Sequence, residues 1–437
     1  MGKKIKKRQG RYSRRYVSIF GELEIERERY YLESGSNYHG LDDHLMLPGT
    51  QMSYKLQEWI GKGSTETNYR SSVSQLNDIL GLTIEGSEVK RIVEGLSPLV
   101  DAYYEDNPVQ RDEGDAKVEV LEEGTHLCFG NDGKGVPVIQ SERTNKVKDV
   151  GRLMKGQKRG TKKQATVAVS FSFNPFVRTS EDILQSLFND GPVVVDKKGK
   201  KGVDKSAESP KSDNRMSIGM HRRAFMGEQK KAIHYAIDRL MVRPNAAQKD
   251  IIALVDCGTG LETGILQAIE EKGLSTHLKA IIADVVHVSE YVWKAANAVL
   301  GEKSEQRTPW VRSKLKDILE GKVKNVIIDF QTIHRQQELK ETQALQLDTT
   351  IKYLQNHQHK MQYDVYLKNG YPISTGIIES TCGHLVKDRM EDSGMRWSIQ
   401  GAQQMLDIRA VNKNGDWKHF LNYCKSAYNP NKLKIAA

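Results

Sequence analysis

Cysteine is scarce: Cys128, Cys257, Cys382 and Cys424 are the four in the chain, far apart and with no Cys-x-x-Cys pair among them. That placement excludes a disulfide framework and a zinc knuckle as organising devices. Long apolar runs are missing as well. None approaches the roughly 20 residues that a bilayer-spanning helix needs, and the opening MGKKIKKRQGRYSRR has no apolar stretch of the kind a secretory signal carries. The expectation is a cytoplasmic protein with no membrane partner. Acidic residues are outnumbered, 56 against 66 basic ones, giving a net charge of +10. A basic balance of this size favours an acidic partner, of which nucleic acid is the commonest for a soluble protein. At 437 residues the chain has material for two or three domains.

Residues 3–15 form a basic arm, from Lys3 to Arg15, with Tyr12 interleaved. It is expected to be a solvated tail that gains counterion-release energy on phosphates without reading sequence. Tyr16–Tyr31 alternates apolar and charged residues around Gly21, the pattern of a β-hairpin. Helical periodicity follows at about 53–61, 68–80 and 85–104. SSVSQLNDILGL and TIEGSEVKRIVEGL, joined by a Gly-containing turn, outline a helix-turn-helix with Ser87 capping the second helix. Any helical hairpin shares that outline.

After the acidic linker Asp112–Asp115 the pattern turns to strands at 117–121, 126–129 and 165–173. Asp132 stands at the mouth of the second, before Gly133, where a simple Asp-Gly turn is the competing reading. The charged stretch 146–163 holds Lys155, Lys158, Arg159 and Lys162 and is expected to lay DNA across nearby carboxylates, with a solvated loop as the alternative. Residues 196–214, rich in Lys, Gly and Ser, read as a mobile basic loop. Helix is expected at about 217–240, with His221, Arg222 and Arg223 along it. IIALV then reads as a buried strand that delivers Asp256, and HLKAIIA as another that ends in Asp284, with His287 three residues on. Residues 288–359 are helical almost throughout.

The stretch Gly370–Trp397 organises the rest. Pro372 stops any preceding helix, Ser374 and Thr375 are N-cap candidates, and Ile377–Met390 reads as helix with Glu379 in its first turn. The face of Glu379 continues through Gly383, Val386 and Met390, flanked by Lys387 and Arg389. A carboxylate so placed suits a metal ligand beside a polyanion; a plain helix-dipole residue competes on even terms. Asp132, Asp256 and Glu379 thus hold comparable positions. Such a trio suits Mg²⁺ or Mn²⁺ better than zinc and supports in-line phosphoryl transfer. Asp329, at the end of KNVIIDF, is a rival second ligand that periodicity alone leaves open. An early antiparallel part followed by parallel strands suits an RNase H-like sheet.

Gly370–Trp397, continuing into Gln400-Gly401-Ala402-Gln403 and Leu406-Asp407-Ile408-Arg409-Ala410, resembles the C-terminal signature of the ISKra family of bacterial insertion-sequence transposases. The likeness extends to residues 132–137, 165–178, Asp256 and 287–297, and so covers most of residues 10–420. It implies an α/β fold: an RNase H-like catalytic core with an α-helical insertion and a mainly helical N-terminal DNA-binding region. The corresponding domains are 1–115 for DNA binding or dimerisation, 116–287 for the first part of the core, 288–365 for the insertion and 366–437 for the part carrying the catalytic Glu. The resemblance makes Asp132, Asp256 and Glu379 the catalytic, metal-binding triad, assigns Asp329 to the insertion, and matches Asp284 and His287 to an Asp/Cys-x-x-His pair that orients the site. It implies a DDE transposase that binds terminal inverted repeats, cleaves the ends and transfers strands with Mg²⁺ or Mn²⁺. Its partners would be double-stranded DNA, transposon ends and target, and a second copy of itself or more, in the nucleoid-associated cytoplasm of a bacterium. Lys387, Arg389 and Arg396 are assigned to phosphates and Trp397 to stacking on a distorted base, with a core anchor as the competing role. Relatives often carry a cysteine pair after the N-terminal Tyr-Tyr; YYLESGSNYHGLDDHL has none. The alternatives are an inactive transposase-derived DNA-binding protein and an RNase H-fold structure-selective nuclease.

Overall fold

The computed structural model describes residues 5–106, 124–143, 161–188, 193–195, 201–203 and 217–428. The protein is α/β and divides into two compact units that interleave along the chain: Met1–Val118 with Gly135–Ala165 and Gly383–Ala437, and Glu119–Lys134 with Thr166–Cys382. Lys155, Lys158, Arg159, the linker 112–115, the expected strand 117–121 and all of 196–214 but 201–203 lie outside the described residues.

The first unit opens with the antiparallel strands β1 (Ile5–Ser18), β2 (Gly21–Leu32) and β3 (Asn37–Tyr38). From Ile5 on, the basic arm is therefore a strand and not a tail. Pairing sets its cations against acids of β2, Arg8 with Glu28 and Arg15 with Glu22. Arg14 is buried and donates to the Asp42 carboxylate at 2.8 Å and to the Pro48 carbonyl. After α1 (Gly40–His44), the helices α2 (Tyr54–Glu66), α3 (Tyr69–Leu80) and α4 (Gly86–Leu96) pack on one another. Gly81, at a φ of +64°, closes α3 in the left-handed region that glycine tolerates. Glu85, not Ser87, caps α4: its own N–H donates to Glu88 at 3.0 Å in a capping box. The helix expected to run to 104 is interrupted at Ser97-Pro98, and α5 (Leu99–Asp106) follows.

The second unit is built on a mixed five-stranded sheet of order β10-β9-β4-β5-β8. Its strands are β4 (His126–Pro137), β5 (Lys162–Phe173), β8 (Ile218–Met226), β9 (Ile251–Val255) and β10 (Leu278–Ala283). A separate ribbon pairs β6 (Val193–Val195) with β7 (Lys201–Val203). Following α6 (Ser180–Phe188), the helices α7 (Gln229–Met241) and α8 (Leu261–Glu271) cover one sheet face, where Ile233, Ile237 and Ile265 meet Leu127, Phe129, Ala253 and Val255. The expected helix at 217–240 begins instead as β8. Burial of His221 and Arg223 on either side of the half-buried Arg222 is a period-2 pattern, and Gly227 at a φ of +71° separates the strand from α7. Pairing with β5 outweighs a weak local helical signal.

Helices α9 (Val285–Leu300), α10 (Arg307–Leu319), α11 (Val323–Gln336) and α12 (Glu341–His357) pack together, followed by α13 (Tyr363–Lys368). KNVIIDF lies within α11 and is not a strand. Val323, Val326, Ile327 and Phe330 are buried at helical spacing, while Asp329 is exposed and pairs with Lys314 at 2.7 Å.

The helix of Glu379 begins as α14 (Gly376–Thr381), passes through a π-helical turn, Cys382–Lys387, and ends as α15 (Asp388–Met390). The wider turn breaks the 3.6-residue register on which a face from Glu379 to Met390 was expected. Residues 383–437, expected in the core, group with the N-terminal helices. Helix α16 (Ile399–Lys413) packs on α2 and α4, and α17 (Trp417–Tyr428) on α2 and α5. Two buried arginines satisfy the last carbonyls of α2: Arg389 donates to Ser64 at 2.8 Å, and Arg409 to Thr65. Trp417 lies against Gly61, where a Cβ would come within 2.9 Å of the indole. Ser97 donates to Asp407 at 3.1 Å and Tyr104 to Asp416 at 3.0 Å.

Candidate active site

Three neighbouring parallel strands of the second unit deliver acids at the same level. Gly130 of β4 pairs with Leu254 of β9, and Val255 of β9 with Ala283 of β10. Asp132 and Asp256 each stand two residues beyond the first of these pairs, and Asp256 and Asp284 one residue beyond the second. Adjacent strands lie about 4.8 Å apart, so the three acids form a row across the carboxyl ends of β9, β10 and the corresponding point of β4. Asp132 does not sit in a turn. The strand runs on to Pro137, and Asp132 projects from it, its Oδ1 accepting the Gly133 N–H at 2.6 Å. The Oδ1 of Asp256 accepts the Gly258 N–H at 2.9 Å across a turn in which Cys257 holds a φ of +63°, a left-handed strain for a residue with a side chain. Burial pushes the Cys257 thiol up to about 11, which removes it as a nucleophile near neutrality.

Asp284 is wholly buried and fully used. It caps α9 by accepting the N–H groups of Val286 and His287, takes the Thr375 N–H at 3.1 Å, and holds His287 Nδ1 at 2.7 Å. Burial works to raise its pKa, but the hydrogen bonds from His287 and Thr375 outweigh it and hold the carboxyl below its usual range. His287 is pushed up to about 9, first by the hydrogen bond to Asp284, against burial, and then by the charges of Asp284 and Glu379. It is a cation at neutral pH, and its Nδ1 lies 3.5 Å from Glu379 Oε1.

Glu379 is placed from the other side. Thr375 starts its helix, and the Glu379 N–H donates to the Thr375 carbonyl at 2.9 Å. Next to it, Ile378 fills the space over Gly130: a Cβ there would come within 2.0 Å of Ile378 Cδ1, so only glycine lets the helix lie on β4. The Glu379 carboxyl is raised above its usual range by burial first, then by the charges of Asp284 and Asp132, with His287 opposing. Cys382, one turn on and buried, hydrogen-bonds Asp132. Burial and that carboxylate both keep its thiol protonated.

Asp284, His287 and Glu379 offer ligand atoms that all lie within 4.8 Å of one another, a group that can hold a metal ion. Asp132 and Asp256 fall outside that group among the described residues. His287 Nδ1 is committed to Asp284, which leaves Nε2 as the ring nitrogen open to a ligand. The sequence placed Asp284 only in support, although its strand, like that of Asp256, is an apolar run ending in Asp. Gly130 and Cys382 carried no signal of their own.

The other expected site residues belong to the first unit, apart from those outside the described residues. Lys162 is half exposed and paired with Glu391 at 2.6 Å, and Lys387 and Arg396 are exposed. Arg389 and Trp397 are buried. The Arg389 guanidinium lies 5.0 Å from the Trp397 ring centroid and 5.5 Å from that of Tyr69, and the Trp397 indole N–H donates to the Met390 carbonyl at 3.1 Å. That is the core-anchor role for Trp397. No family model matches the sequence, and neither does any curated protein.

Proposed function

We propose that this protein is a DDE transposase that binds the terminal inverted repeats of its own element, cleaves the ends and joins the freed strands to target DNA. The observation that carries the reading is the row of acids at the ends of β4, β9 and β10, closed by Glu379 on a helix laid over Gly130. The strand order supports it. Strands β4, β5 and β8 are neighbours in succession, and β9 and β10 are added on the other side of β4, as in an RNase H-like core. On this reading residues 288–365 are the insertion between the second Asp and the Glu, and Asp329 belongs to it.

The donor set fits a hard divalent cation. Asp132, Asp256 and Glu379 offer only oxygens, as Mg²⁺ or Mn²⁺ prefer, and the Glu379 carboxyl, raised by burial first and then by the charges of Asp284 and Asp132, would be relieved by a cation. When bound, two such ions supply activation of a water or a 3′-hydroxyl and stabilise the leaving oxygen. Asp284 keeps His287 charged and oriented, and His287 steadies the Glu379 carboxylate against its acidic neighbours. Joining two ends requires two sites, which favours a homodimer or larger assembly.

Purified protein incubated with Mg²⁺ and DNA carrying the element ends should cleave and join. Asp132→Ala, Asp256→Ala and Glu379→Ala should each abolish both steps while end binding persists, and Asp329→Ala should change neither. Full activity in Asp256→Ala would sink the trio. Cleavage without joining would identify a structure-selective nuclease instead.

A further inference from the structure

We propose that the first unit carries a separate site for a phosphate group of a DNA strand, in the cavity between the start of α3 and the start of α16. This rests on the reading of the protein as a DNA transposase and adds a place in the first unit where the strand is gripped. The cavity is about 650 Å³, and Arg70, Lys90, Arg389 and Arg396 line it together with a single carboxylate, Glu94. Glu94 is matched to Lys90 at 3.6 Å on the same helix. Arg70 and Arg396 are exposed and free to reach a ligand.

The floor is the informative part. Arg389 is 1% exposed, and it donates hydrogen bonds to a carbonyl, that of Ser64, and to the Met395 sulfur at 3.0 Å. Among the described residues no carboxylate lies within ion-pair distance of it. The buried guanidinium faces aromatic rings, a carbonyl and a thioether, and Asp392 and Glu66 act on its charge only from beyond ion-pair distance, so an anion entering the cavity would meet that charge directly. The first turns of two long helices open on the same space, through Asn68 and Arg70 of α3 and Ser398 and Gly401 of α16. Their dipoles add to an attraction for negative charge. Phosphate is the anion that matches several guanidinium forks at once. The Trp397 indole N–H is spent on the Met390 carbonyl, and the exposed guanidinium groups of Arg70 and Arg396 suit phosphate, so the grip is on the backbone and independent of sequence.

The test is equilibrium binding without metal, by fluorescence anisotropy on duplex DNA of unrelated sequences across a salt series. The double variant Arg70→Ala/Arg396→Ala should bind every duplex about 10-fold more weakly, with a salt slope lower by about one. The charge-matched control Lys62→Ala/Lys418→Ala, at exposed positions outside the cavity, should change affinity far less. Equal losses in both variants would reduce the effect to overall charge and overturn the proposal, as would an unchanged affinity in the first. A second arm adds inorganic phosphate alone and follows thermal unfolding. A melting temperature raised in the parent but not in the variant, with DNA affinity unaltered, would make the cavity a site for free phosphate and overturn its role on DNA. A parent protein that binds DNA through this cavity but transfers no strand would count against the catalytic reading only.

Discussion

His221 shows what a buried imidazole costs among guanidinium groups. It is 2% exposed, its Nε2 lies 2.8 Å from the Tyr235 hydroxyl, and burial, followed by the charges of Arg239, Arg243, Arg223 and Arg222, holds its pKa well below the usual 6.5. The unfolded chain takes up a proton near pH 6.5 and the folded chain does not, so this residue's contribution is intact above that pH and declines as the pH falls below it, by at most about 1.4 kcal/mol per pH unit. Urea midpoints measured from pH 7 to 5 should therefore fall more steeply in the parent than in His221→Gln; parallel curves would refute the assignment. Asp284→Asn should lower stability by roughly 1–3 kcal/mol, seen as an earlier thermal transition, because it weakens a helix cap and removes the anion that His287 faces. At Gly130 the prediction is steric. Gly130→Ala should displace Ile378 and with it Glu379, lowering strand transfer by an order of magnitude or more, in the spirit of a misplaced catalytic group. Gly130→Ala/Ile378→Ala should recover part of that loss, and a double variant as poor as the single one would mean that packing at this point does not position Glu379.

At the scale of the element, α2 is held by residues far along the chain. Arg409→Met would strip donors from the Thr65 carbonyl and from those of His384 and Leu385, and should cost about 1–3 kcal/mol in chemical unfolding. A loss within error would show that water replaces the guanidinium there. The elements that could be read from sequence are those whose pattern agrees with their surroundings. IIALV is apolar throughout and HLKAIIA mostly so, and both became parallel strands, and α3 and α4 kept the glycine turn between them, although Glu85 and not Ser87 caps the second. Where tertiary partners decide, the pattern misled. The segment around His221 is a strand because β5 pairs with it, KNVIIDF is helix because its neighbours bury one helical face, and the arm is a strand because β2 supplies acids. The π-helical turn after Glu379 has no sequence signal that a 3.6-residue period would reveal.

For the whole molecule, what was legible was local: Asp256 follows the apolar run of β9 and Glu379 lies in the first turn of α14, as expected, while Asp132 lies within β4, and the group that can hold a metal among the described residues is Asp284, His287 and Glu379. What sequence did not show is the closeness of Asp284 and His287 to Glu379, since that depends on Thr375 reaching back across 91 positions to Asp284. Most of the charged stretch expected to hold DNA lies outside the described residues, so the cations with a defined place are those of the first unit. Both units are stitched from separate stretches of chain, and the first is not finished until its last stretch, from Gly383, has been made. On the ribosome, α2 must therefore wait for Arg389, Arg409 and Trp417 with its terminal carbonyls and the groove at Gly61 still open to water. A message cut short before those codons would yield a product in which α2 still has α3 and α4 to pack on but lacks the groups that close its end, whatever the length of chain already synthesised.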